Sequence, residues 1–149
     1  MNMKIKSITI AAVFTILTAF IPSCSKTETK NSLPAPQITG SIDGNSIRFK
    51  IIIPENHHAY LDRGKEGRLI PISFDWKHAL ENEPAVQSAP PGNFDREVEA
   101  TVLRGEGEFI FQTEGAVSLA GKTVNVRTQI CDDIKGLCYR PTVEEVVIN

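Results

Sequence analysis

Two cysteines with six residues between them, in the run Thr128-Gln129-Ile130-Cys131-Asp132-Asp133-Ile134-Lys135-Gly136-Leu137-Cys138-Tyr139-Arg140-Pro141, constrain this chain more than any other feature. The residues leading into the first cysteine alternate. Val124, Val126, Thr128 and Ile130 fall on one face of an extended segment, and Asn125, Arg127 and Gln129 on the other. Thr142 to Ile148 is again strand-like. Pairing Lys122–Cys131 antiparallel with Cys138–Ile148 sets the cysteines opposite each other across the loop Asp132–Leu137, with Gly136 available for a positive φ. Opposed residues in antiparallel strands lie about 4.5 to 5.5 Å apart at Cα, which overlaps the span a disulfide accepts. The segment reads as a dithiol/disulfide pair on a β-hairpin.

The third cysteine, Cys24, belongs to a different chemistry. Lys4 and Lys6 precede an almost wholly apolar stretch from Ile8 to Ile21, followed by Pro22-Ser23-Cys24. This is the layout of an export signal, too short for a confident membrane span. The placement of Cys24 resembles a bacterial lipoprotein signal, with Pro22 departing from the usual small residue. The resemblance implies that residues 1–23 are removed and that Cys24 carries the lipid, with more than one acyl chain giving stable anchoring. Plain secretion with Cys24 as a free thiol is the other reading. Either one places the rest of the chain in an oxidising compartment, and lipid anchoring would hold it at a membrane of the bacterial envelope, facing the periplasm or the exterior. Ser25 to Pro36 is polar, carries two prolines and has no periodicity, as a flexible tether would. Residues 24–36 are therefore expected to be lipidated cysteine and tether, and residues 37–149 one domain.

That domain is expected to be all-β. Strand candidates are Gln37–Ile42, Ser46–Ile53, Leu69–Trp76, Glu97–Leu103, Glu108–Gln112, Lys122–Ile130 and Thr142–Ile148, with Asp43-Gly44-Asn45 supplying hairpin-turn chemistry between the first two. Short strands of this number separated by Gly, Pro and Asn clusters predict an immunoglobulin-like antiparallel β-sandwich. Lys77 to Asn93 reads mainly as loop, with a short helical turn at Lys77–Leu80. No internal repeat is visible. Acidic groups outnumber basic ones, and no basic stripe is present to neutralise phosphates, so nucleic acid is not an expected partner. His57, His58 and His78 do not combine with the cysteines in any zinc-site spacing, and adjacent strand histidines point to opposite faces. No metal and no cofactor is expected.

Taken alone, the cysteine pair reads first as a structural staple and second as a redox centre, since small exported domains use disulfides mainly for stability. The charges are asymmetric. Asp132 and Asp133 disfavour a thiolate at Cys131, while Arg140 favours one near Cys138, which makes Cys138 the better nucleophile.

The run Val126–Cys131 followed by Gly136-Leu137-Cys138-Tyr139-Arg140-Pro141 resembles the signature of the N-terminal periplasmic domain family of the thiol:disulfide interchange protein DsbD. In that signature a Gln shortly before the first Cys is followed by Gly-x-Cys-Tyr-x-Pro. His57-His58-Ala59-Tyr60-Leu61 resembles the family's aromatic or His segment after the second strand, and Asn93-Phe94-Asp95 resembles its cap loop. The inter-cysteine loop is one residue longer than the family's commonest form. The multi-span and thioredoxin-like domains of full-length DsbD are not in this sequence, so a stand-alone version is expected.

The resemblance implies an immunoglobulin-like fold and an electron relay to thioredoxin-fold proteins of disulfide-isomerase or cytochrome-maturation type, re-reduced by a membrane electron donor. Cys138 is then expected to form the mixed disulfide and Cys131 to resolve it. Phe94 is expected to cap the sulfurs, and Tyr60, His58 and Tyr139 to wall the site; each could instead be an ordinary strand or core residue. The competing function is a lipid-anchored binding module with a purely structural disulfide.

Overall fold

Large apolar residues alternate with charged ones in Ser46–Ile52, and an extended segment so patterned must bury one face. In the computed structural model, which describes residues 33–149, Ile47, Phe49 and Ile51 of this strand are buried while Lys50 is exposed. The leader, Cys24 and most of the tether lie outside the described residues. Strands β1 (Gln37–Asp43) and β2 (Ser46–Ile52) form a hairpin closed by Gly44-Asn45, where Gly44 takes φ 60°, a conformation suited to glycine.

Ten further strands follow in chain order: β3 (His57–Tyr60), β4 (Ser73–Asp75), β5 (Ala85–Ser88), β6 (Asn93–Asp95), β7 (Ala100–Leu103), β8 (Glu106–Gln112), β9 (Thr123–Thr128), β10 (Ile130–Asp132), β11 (Leu137–Cys138) and β12 (Thr142–Val147). A 3₁₀ turn, Ala116–Leu119, precedes β9. All strand-to-strand ladders are antiparallel, in three sheets ordered β1-β2-β8-β5, β12-β9-β4 and β11-β10-β3-β7-β6. The all-β antiparallel class expected from the sequence is the one found. Among the described residues no helix is long and apolar enough to cross a membrane.

The first two sheets pack through aromatic rings. Phe49 of β2 has its centroid 5.0 Å from Phe74 of β4, 5.6 Å from Trp76 and 6.0 Å from Phe111 of β8. These separations lie in the range where tilted and edge-on pairs add to area burial. On the opposite face of β2, Arg48–Glu108 and Lys50–Glu106 pair across the strands at 3.0 and 2.9 Å, which supports the register only weakly because both pairs are solvent-exposed.

Several expected bounds shift. Leu69–Trp76 shrinks to β4, since Pro71 has no N–H for a ladder and makes only an isolated bridge to Tyr60. Glu97–Leu103 starts only at Ala100, because residues 96–99 form a turn with Glu99 at φ 47°. The stretch read as loop contains the expected turn, with Ala79 and Leu80 N–H groups donating to Trp76 O, but also strand β5. β5 is exposed along its whole length and irregular against β8, so no alternation marks it; only its partner makes it a strand. His57–Tyr60 and Asn93–Asp95 are likewise short strands.

Candidate functional site

The long hairpin expected around the cysteines forms, and it changes sheets midway. β9 pairs with β12 as far as Thr128↔Thr142, and β10 pairs with β11 at Cys131↔Cys138. Between those two pairs lie two residues on one arm, Gln129 and Ile130, and three on the other, Tyr139 to Pro141. The extra residue bends the hairpin as a bulge does. Pro141 has no N–H to lose at this break, and the Gln129 side-chain amide donates to Tyr139 O at 3.1 Å, bridging it. This gives a physical reason for a Gln two residues before the first cysteine and a Pro three residues after the second.

Cys131 and Cys138 are disulfide-bonded, with Cα atoms 3.9 Å apart. Tyr139 N–H donates to Ile130 O at 2.9 Å, so the neighbouring cysteine pair occupies a non-hydrogen-bonded ladder position, where side chains approach most closely. The inter-cysteine loop is built on Asp132. Its carboxylate accepts the Ile134 and Lys135 N–H groups at 3.0 and 2.9 Å, its own carbonyl accepts Gly136 N–H at 2.9 Å, and Gly136 has the expected positive φ of 63°. Chiefly through the Lys135 N–H, and further through the Lys135 ammonium at 3.2 Å, the Asp132 carboxyl is held down to about 2.

The sheet carries His58, Cys131 and Cys138 as successive ladder partners on β3, β10 and β11, so their side chains share one face. Tyr60, two residues along β3, joins that face, and its hydroxyl lies 3.6 Å from Cys138 Sγ. A disulfide sulfur has no hydrogen, so the phenol is the donor. Burial, followed by the nearby charges of Asp95 and Asp133, raises the Tyr60 ionisation and keeps it a donor. The cleft over this face is about 200 Å³ and is lined by His58, Tyr60, both cysteines, Asp132, Asp133 and Leu137 on one side and by Asp95, Glu97 and Val98 on the other. Cys131 is 2% exposed, whereas Cys138 is on the surface.

The second wall is held by charge. Arg104 donates to both carboxylate oxygens of Asp133, at 3.1 and 3.0 Å, and to Asp95 at 3.4 Å, tying β7 to the inter-cysteine loop and to β6. Asp133 is held below the usual carboxylate range, first by Arg104 and then by His58, whose Nδ1 lies 2.7 Å away. Both aspartates after Cys131 are thus compensated, and Arg140 is exposed and outside the cleft. Exposure of the residue, rather than the charge asymmetry read from the sequence, is what distinguishes the two cysteines.

The expected site residues divide. His58, Tyr60, Cys131 and Cys138 come together. Tyr139 lies on the other side of the hairpin, where its hydroxyl donates to Asp132 at 3.2 Å and its ring sits 6.2 Å from His57. Phe94 is 66% exposed and does not line the cleft. The reason is strand alternation: Asp95, its neighbour on β6, faces the cleft, which turns Phe94 to the opposite face. Nothing in the sequence pattern signals Arg104, Glu97 or Val98; Glu97 and Val98 line the cleft beside the cysteines, and Arg104 reaches Asp133 on the inter-cysteine loop. Among the described residues no cluster of three or more His, Cys, Asp or Glu is arranged to hold a metal ion.

No curated protein matches the chain. Among solved structures, the reduced N-terminal domain of DsbD from Neisseria meningitidis is similar at 17% identity and a TM-score of 0.48, over 76% of this chain and 82% of that one. The family model described as thiol:disulfide interchange protein DsbD, N-terminal, matches residues 29–149. That match takes in most of the chain and the whole cleft, so this chain belongs to the family of DsbD N-terminal domains.

Proposed function

We propose that this domain relays electrons in the periplasm by thiol–disulfide exchange between its Cys131/Cys138 pair and thioredoxin-fold proteins of the disulfide-isomerase or cytochrome-maturation kind, being re-reduced by a membrane electron donor. The family is one of thiol:disulfide interchange, which supports the reaction class. The observation that carries the assignment of roles is the unequal exposure of the two cysteines. A partner disulfide can approach Cys138 on the surface, while Cys131 is buried against β3.

In the reduced domain the Cys138 thiolate, accepting the Tyr60 O–H, attacks the partner's disulfide and releases one partner thiolate. The Cys131 thiolate then attacks Cys138 Sγ, closing the internal bond and releasing the second thiolate, so that two electrons leave with the partner. Exposed Leu137 and Ile134 beside Cys138 offer apolar contact to a docking protein. Capping by Phe94 would require β6 to turn its other face toward the sulfurs. Cys24 is the proposed point of lipid attachment, with residues 25–36 as tether; a mature form bearing an unmodified Cys24 thiol would contradict this.

Replacing Cys131 with Ser removes the resolving attack and should trap a mixed disulfide through Cys138 when an oxidised thioredoxin-fold protein is offered. The Cys138→Ser variant should trap little. Capture by neither variant would leave the pair a structural staple and the domain a binding module.

A further inference from the structure

His58 Nε2 is buried and has no hydrogen-bond partner among the described residues. Leaving a buried nitrogen unpaired is costly and calls for an explanation. Its chemistry is fixed by the other ring nitrogen. Nδ1 lies 2.7 Å from Asp133 Oδ1, and an ionised carboxylate only accepts, so Nδ1 carries the hydrogen and a neutral ring leaves Nε2 as a bare lone pair. Arg104 clamps Asp133 from the far side with two hydrogen bonds, so the carboxylate cannot turn away. His58 is also the ladder partner of Cys131, the neighbouring position on the same sheet face, with side-chain origins about 4.5 to 5.5 Å apart. In the disulfide form Cys131 has no proton to give. In the dithiol form it has one.

We propose that His58 is the proton acceptor for Cys131, with Asp133 and Arg104 positioning it. This deepens the relay reading and rests on it. After Cys138 has formed a mixed disulfide with a partner, the Cys131 thiol passes its proton to His58 Nε2. The resulting thiolate attacks Cys138 Sγ, the Cys131–Cys138 bond forms, the bond from Cys138 to the partner sulfur breaks, and the electron pair leaves on that sulfur. The proton on His58 then returns to the departing thiolate or to water. The groups facing His58 from the surrounding elements are Asp133 on the inter-cysteine loop, Arg104 after β7, Asp95 on β6, Glu97 in the β6–β7 turn and Tyr60 on β3. Of the cleft residues only His58 is an imidazole, and the four cleft carboxylates include two already held by Arg104 and one held by the inter-cysteine loop.

The test uses the reduced full chain and oxidised glutathione as the probe, with acid quenching and mass analysis to follow the glutathionyl adduct on Cys138. The wild type should form the adduct and clear it quickly. His58→Gln should form it at a little-changed rate and clear it about 10²-fold more slowly, because a positioned base has been removed. The clearance rate of the variant should also lack one ionisation seen in the wild-type pH profile. Asp133→Asn should slow clearance in the same direction by freeing the ring to adopt the wrong tautomer. Clearance by His58→Gln at the wild-type rate, or equal slowing of both steps with an unchanged pH profile, overturns the proposal while leaving the relay intact. A wild type that forms no adduct overturns both. Independently of any variant, the ¹⁵N resonance of His58 Nε2 should move on reduction of the wild type, and identical signals in the two redox states would refute the proton contact.

Discussion

Reducing the Cys131–Cys138 bond should weaken the domain without unfolding it. The bond joins residues separated by seven positions, and closing a loop of that size removes about 2.4 kcal/mol of chain entropy from the unfolded state at 25 °C. Small domains hold about 5 to 15 kcal/mol, so the reduced form stays mostly folded. The contacts that remain explain why the hairpin survives: the Asp132 turn, the Tyr139 N–H to Ile130 O bond and the pairing of β10 with β3 are all independent of the sulfurs. By linkage the same 2.4 kcal/mol is what folding adds to the strength of the bond, about 50 mV for a two-electron couple. That is too small a bias to lock the pair in its oxidised form, which is what a relay requires. The assay is urea unfolding of the full chain with and without a thiol reductant. With a slope of about 1.5 kcal/mol/M, the midpoint should fall by about 1.6 M at unchanged slope. A reduced protein with no cooperative transition, or one that loses more than about 5 kcal/mol, would refute the reasoning and make the bond the staple that holds the fold.

Tyr60→Phe removes the O–H that donates to Cys138 Sγ, and should slow capture of oxidised glutathione by about fivefold, the value of one hydrogen bond of roughly 1 kcal/mol, measured as the initial rate of adduct formation. Phe94→Ala, at a ring that is 66% exposed and on the face of β6 away from the cleft, should leave both stability, within about 0.5 kcal/mol, and reaction rate unchanged; faster reaction would instead establish Phe94 as a cap. Asp132, whose carboxyl is lowered to about 2, stabilises the inter-cysteine turn fully above its ordinary value of 3.8, and that contribution fades as pH falls through about 2. Amide exchange at Ile134 and Lys135, whose N–H groups it accepts, should therefore quicken relative to the rest of the hairpin on acidification through that window, and not in an Asp132→Asn variant, whose side-chain oxygen accepts at every pH.

The elements legible in the sequence are those whose signal is local. β1 and β2 announce themselves by alternation and a Gly44 turn, and β9 by Val124 and Val126 against Asn125 and Arg127. The cysteine register follows once the two arms are paired, because a side-chain period of two leaves one face inward. Resemblance to a known signature then supplied the chemistry, and with it His58 and Tyr60 as neighbours of the sulfurs. What the sequence could not decide depends on contacts between residues distant in the chain. β5 and β6 have no pattern of their own and exist because β8 and β7 offer unpaired edges. The hairpin's change of sheet at Gln129 is set by one extra residue near Pro141. Arg104 meets Asp133, 29 residues along the chain, only because the fold brings β7 and the inter-cysteine loop together, and Asp133 in turn holds His58. Phe94 shows the limit most clearly: its position in the chain beside a cap-like loop is local information, but whether it faces the sulfurs depends on which face of β6 the tertiary packing turns inward.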